Sequence, residues 1–74
     1  MPKAARHPIL KRLGARVRRL REARHLSQEA FADVCGIDRS YMSGIERGVR
    51  NISVLHVARL AKGLGIDIGD LFTA

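Results

Sequence analysis

The chain has 74 residues and a single cysteine, Cys35. One thiol excludes an internal disulfide framework and any multi-cysteine zinc site. It suits a reducing, cytoplasmic setting. Long apolar runs are also missing, since none approaches the roughly 18 residues that a membrane span needs. The start, Met1 to Pro8, holds both prolines together with Lys3, Arg6 and His7. It lacks the apolar stretch of a secretory leader and reads as a flexible basic arm over residues 1–8. No paired carboxylates, nucleophile–base set or metal-ligand cluster stands out, so an enzyme is not expected, nor a cofactor. His7, His25 and His56 have no mutual spacing that suits a metal and are expected at the surface.

Acidic residues are scarce: 7 Asp and Glu face 14 Lys and Arg, a formal net charge of +7. With an isoelectric point near 11.1, this implies a polyanionic partner, nucleic acid before membrane. The excess is concentrated. From Met1 to His25, nine basic residues stand against Glu22 alone. From Leu26 to Arg50, three arginines stand against four acidic residues. The first third therefore supplies general attraction to phosphate, and specificity must come from elsewhere.

One small domain is all this length allows. Its core is marginal in size, and an oligomer would bury more. No segment alternates as a strand does. Leu10, Leu13, Val17 and Leu20 recur at spacings of 3, 4 and 3, a helical stripe from about Ile9 to Arg24. Ser27 caps a second helix that Gly36 ends. Asp38 caps a third, Arg39 to Arg47, ended by Gly48. Ser53 caps a fourth, closed by Gly65, with Val54, Val57, Ala61 and Leu64 as its inner stripe. Asp67 caps a short fifth, Ile68 to Phe72. The fold class is all-α, a five-helix bundle over residues 9–74.

Helices two and three, joined by a few residues with Gly36 in the turn, have the form of a helix-turn-helix. Ala32 is small where the two would cross, and Met42 and Ile45 face inward. Cys35, beside the turn, is expected as a small core residue and not a redox sensor. The stretch Leu26-Ser27-Gln28-Glu29-Ala30-Phe31-Ala32 resembles the opening of the phage-repressor and Cro-like (XRE-type) helix-turn-helix family. So do Ile45-Glu46-Arg47-Gly48 and Leu60-Ala61-Lys62-Gly63-Leu64-Gly65-Ile66. The resemblance runs from about Leu13 to Phe72. Within that family, Ile37 to Asn51 looks most like the controller proteins of restriction–modification systems.

The resemblance implies a lambda-repressor-like DNA-binding domain and a transcription regulator acting on double-stranded DNA. The third helix would enter the major groove with its first turns. Arg39 can bond O6 and N7 of guanine together. Ser40 and Ser43 can bond base edges or phosphate, and Tyr41 a thymine methyl or a phosphate. Gln28 matches the family glutamine at the start of helix two. Arg47, Arg50 and Asn51 fall where backbone contacts are expected. Glu46 matches a position that pairs with an arginine of the first helix, here Arg21. Glu29 and Asp33 share a face of helix two. They either offset the helix dipole or form a patch for RNA polymerase, as in related repressors. The family's dimer contact lies near its C-terminal helices, so Leu55, Ile68, Leu71 and Phe72 are the candidates, with part of the set in the core. A homodimer on a pseudo-palindromic operator follows. The alternative is an antitoxin of the same fold, which binds a toxin as well as its operator.

Overall fold

The computed structural model describes residues 7–73. Four α-helices follow one another: α1 (Pro8–Ala23), α2 (Gln28–Cys35), α3 (Arg39–Arg47) and α4 (Val54–Leu64). One 3-10 turn, Ile68–Leu71, completes the order. No strand occurs among the described residues, and none of their helices is long and apolar enough to cross a membrane.

Local chemistry sets most helix ends. Pro8 opens α1, where its missing N–H costs nothing. His7 precedes it in extended conformation, and its Nδ1 accepts from the Ile9 amide. The helix thus begins one residue before the expected start. Lys3 and Arg6 of the expected arm lie outside the described residues. Ser27 Oγ accepts from the Ala30 amide, Asp38 from those of Ser40 and Tyr41, and Ser53 Oγ from that of His56. Each satisfies an amide that the helix itself cannot. Gly48 ends α3 with φ of 74° and does a second job. A Cβ there would sit 2.7 Å from the Cα of Lys11, so α1 can cross the end of α3 only over a glycine.

The expected fifth helix is a single 3-10 turn. Asp67 makes no side-chain cap. The turn is closed instead by Asp70 N to Asp67 O and Phe72 N to Gly69 O, both spanning three residues. With Gly69 in the middle, four residues cannot close α-type bonds at both ends.

The core is aliphatic with one aromatic ring. Val17, Phe31, Met42, Leu60, Leu64 and Leu71 are fully buried, one or more from each helix. On α1, Leu13 and Val17 are buried, while Leu10 and Leu20 at the stripe's ends are half-buried. On α4 the buried stripe is Val57, Leu60, Ala61 and Leu64. Val54, expected in it, is 79% exposed. It opens the helix and projects beyond the core, and Leu60 occupies the inner face instead.

Candidate nucleic-acid interface

The sequence Arg39 to Arg47 builds an amphipathic helix with two unlike faces. Met42 and Ile45 enter the core, and Gly44 is also buried. At about 100° per residue, Arg39, Ser40, Ser43 and Arg47 fall within one arc on the other side. Arg39, Ser40 and Arg47 are exposed, and Ser43 is half-buried. Asp38 fixes the first turn. Its Oδ2 accepts from Ser40 N at 3.0 Å and from Ser40 Oγ at 2.6 Å. These bonds hold the Asp38 carboxyl below its ordinary range. They also narrow what Ser40 can do. Its hydroxyl hydrogen is committed to Asp38, so it can accept from a base amino group but has no proton for a phosphate.

The helix is seated on α1 by a polar clamp. Arg21 Nε donates to Glu46 Oε2 at 2.7 Å and Arg21 Nη2 to Glu46 Oε1 at 3.0 Å. Arg21 Nη1 donates to Leu26 O at 2.7 Å, which ties the clamp to the entry of α2. The Glu46 side chain is only 3% exposed. The bond to Glu46 raises the Arg21 pKa above its ordinary value, so this arginine stays charged. Gln28 joins the same carboxylate, its Nε2 donating to Glu46 Oε1 at 3.1 Å. Its amide is thereby oriented, with a second N–H left to donate. Glu46 is thus no acidic intrusion in a basic surface, because its charge is spent inside.

Sequence reasoning missed a second support. The Tyr41 ring lies 4.8 Å from the His56 ring, centroid to centroid, at 50°. His56 is itself held at the start of α4, its Nδ1 2.8 Å from Ser53 Oγ. The Arg50 guanidinium carbon lies 5.1 Å from the Tyr41 centroid, a cation–π arrangement. Its aliphatic stem fills the space over Gly44, where a Cβ would be 2.6 Å from Arg50 Cγ. Arg50 and Tyr41 therefore act as a pair, and His56 carries the ring from the other element. A histidine three residues into a serine-capped helix was the available signal.

Asn51 is exposed beside Arg50, and Glu29 and Asp33 are exposed on α2. Cys35 is buried, and burial pushes its thiol up to about 11. Of the apolar residues expected at a dimer contact, Leu55, Ile68 and Phe72 are exposed. Leu71 is not among them: it is 1% exposed and packs in the core.

A profile of the helix-turn-helix family matches residues 17–71, and the chain belongs to that family of DNA-binding regulators. Within it, the chain is similar to the controller proteins of restriction–modification systems. It is 43% identical over 63 residues to control protein C.MunI of Mycoplasma sp, covering 84% of this chain and 85% of that one. It is 41% identical over 59 residues to control protein C.BamHI of Bacillus amyloliquefaciens, covering 78% and 73%. The crystal structure of the restriction-modification controller protein C.AhdI from Aeromonas hydrophila superposes with a TM-score of 0.86 at 45% identity. That match covers 89% of this chain and 100% of the other.

Proposed function

We propose that this chain is the controller of a restriction–modification system, a transcription regulator that binds a pseudo-palindromic operator as a homodimer. The observation that carries the reading is the arc of exposed Arg39, Ser40 and Arg47 with half-buried Ser43, on a helix clamped from behind by Arg21 and Glu46. In the major groove, Arg39 reads guanine with its planar fork. Ser40 accepts from a base amino group, and Tyr41 meets a thymine methyl or the sugar–phosphate edge. Gln28, Arg47, Arg50 and Asn51 hold the flanking backbone, which supplies affinity and register.

Leu55 and Ile68 offer apolar surface on α4 and the C-terminal turn. A two-fold contact through them would place two α3 helices about 34 Å apart, one turn of duplex. Glu29 and Asp33, on the outer side of α2, are free to touch RNA polymerase bound beside the operator. Selection of bound duplexes from a random pool, with sedimentation of the free protein, tests the whole reading. The expected result is two inverted half-sites and a dimer at micromolar concentration. Enrichment of a lone half-site by a monomer would overturn it.

A further inference from the structure

The site on α3 uses Arg21 alone of the five α1 arginines, and three of the other four form a row. Arg12, Arg16 and Arg19 recur at spacings of four and three, so they share one side of the helix. Gly14 marks the opposite side, where α1 lies against the α3 backbone at Ile45 and Glu46. Arg16 shows where the row turns instead. Its Nε donates to Asp70 O at 3.1 Å and its Nη2 to Thr73 Oγ1 at 3.4 Å. The row therefore faces the C-terminal turn, away from the reading helix.

Between the row and that turn lies a cleft of about 200 Å³, lined by the three arginines with Ala15, Phe72 and Thr73 among its walls. It adjoins a hollow of about 110 Å³ formed by Ile9, Leu13, Phe72 and the stem of Arg12. Among the described residues, no carboxylate lines either space. The contrast with Arg18 is informative: that neighbour is neutralised by Glu22 at 3.2 Å. Among the described residues, Arg12 and Arg19 have no such partner.

We propose that this cleft docks an acidic segment of a partner protein. One aliphatic side chain enters the hollow beside Phe72, and flanking carboxylates meet the forks of Arg12 and Arg19. Guanidinium and carboxylate match in shape as well as charge, and Arg16 is pinned in place between them. The apolar hollow separates this occupant from its rivals. A DNA backbone would be held by charge alone and has nothing to put against Ile9 and Phe72. The chain's own start carries Lys3 and Arg6, charges of the same sign as the row. A two-fold contact through this face would bring one arginine row against another, like charge to like.

The test uses the full chain and three labelled hexapeptides: Asp-Glu-Leu-Asp-Glu-Leu, its Gly-for-Leu version and its Lys-for-acid version. Binding is read by anisotropy and by amide shifts in ¹⁵N spectra at low-millimolar peptide. The first peptide is expected to bind, moving amides of Ala15, Arg19, Phe72 and Thr73 and leaving α3 unmoved. The other two are expected to bind at least about tenfold more weakly. The variant R12Q/R19Q should lose about tenfold in affinity for the first peptide with an unchanged thermal midpoint. Its operator binding should keep the same salt slope, because the general attraction to phosphate expected of the first third then comes from its other basic residues. No shifts with any peptide overturn the proposal. Equal binding of the Gly-for-Leu peptide reduces the cleft to a patch of charge and overturns it too. A salt slope lowered by about one to two in R12Q/R19Q makes the row a second DNA face. A dimer lost in Phe72→Ala makes it a self-association face. Either result also overturns it.

Discussion

Arg21 and Glu46 meet fork to fork, Nε to Oε2 at 2.7 Å and Nη2 to Oε1 at 3.0 Å, between α1 and α3. Both side chains are largely withdrawn from water, at 11% and 3% exposure. Removing one partner leaves the other charge buried and unpaired, which typically costs about 3–5 kcal/mol. For a domain this small, that is a large share of total stability. Glu46→Ala should therefore lower the thermal midpoint by more than about 10 °C, with Glu46→Gln milder because Gln28 and Arg21 keep a hydrogen-bonding neighbour. Circular-dichroism melts of both variants check this. An unchanged midpoint in both would mean that the clamp carries no stability.

Gly14 governs the same junction sterically. A Cβ there would lie 2.6 Å from the Glu46 carbonyl oxygen, closer than any real side chain sits. Alanine has the better helix propensity by about 1 kcal/mol, so on an exposed helix Gly14→Ala would stabilise. Here the clash with rigid backbone outweighs that gain, since overpacking costs about 1–3 kcal/mol. The expected variant melts lower and binds operator more weakly, because α3 must shift off α1. A higher midpoint with unaltered DNA affinity would show that the two helices have room to spare.

The helix ends of this fold were legible in the sequence because capping is chemistry within four residues. Ser27, Asp38, Ser53, Gly36, Gly48 and Gly65 each show their function locally. What was hidden depends on separate segments meeting. Val54 and Leu60 exchanged places on the expected stripe because the core reaches only part way along α4. Asp67 resembles a cap in sequence, yet the four residues after it hold only a 3-10 turn. The stack of His56 on Tyr41 joins α4 to α3 across a loop, and no periodicity within either helix announces it. Gly14 carried no expectation in the sequence reading, although the propensity cost of a mid-helix glycine was a signal of a close neighbour.

Arg39 and Arg50 should separate in DNA-binding assays. Arg39 stands at the exposed start of α3, and Arg50 lies over the Tyr41 ring. Arg39→Ala should cost about 1–3 kcal/mol on the selected operator and much less on random duplex. Arg50→Ala should weaken both, with a salt slope lower by about one. Equal losses for Arg39→Ala on the two duplexes would make Arg39 a backbone contact.

His56 should act on DNA binding through Tyr41 alone. Stacked aromatic pairs contribute about 0.5–1.5 kcal/mol beyond burial, here added to the packing of Tyr41 on the core and its contact with Arg50. His56→Ala should loosen Tyr41 and weaken operator binding by up to about tenfold. In Tyr41→Ala, the same change should have no further effect. A double-mutant cycle measures this, and additive losses would show that His56 works independently of Tyr41.

Cys35 gives a pH dependence of definite sign. Burial pushes its thiol up to about 11, so the folded chain keeps the proton while the unfolded chain ionises from the ordinary thiol range upward. The unfolded state then binds fewer protons than the folded state, and stability falls with rising pH through that window. Below the ordinary thiol range, both states are protonated and the effect vanishes. Wild type should therefore lose stability relative to Cys35→Ala as pH rises from about 8 toward about 11. Taking the difference between the two proteins cancels every contribution that they share. Native Cys35 should also resist iodoacetamide at pH 8, since its thiolate is scarce and covered. A constant difference in midpoint across the window, or rapid alkylation of the folded protein, would place the thiol in contact with water.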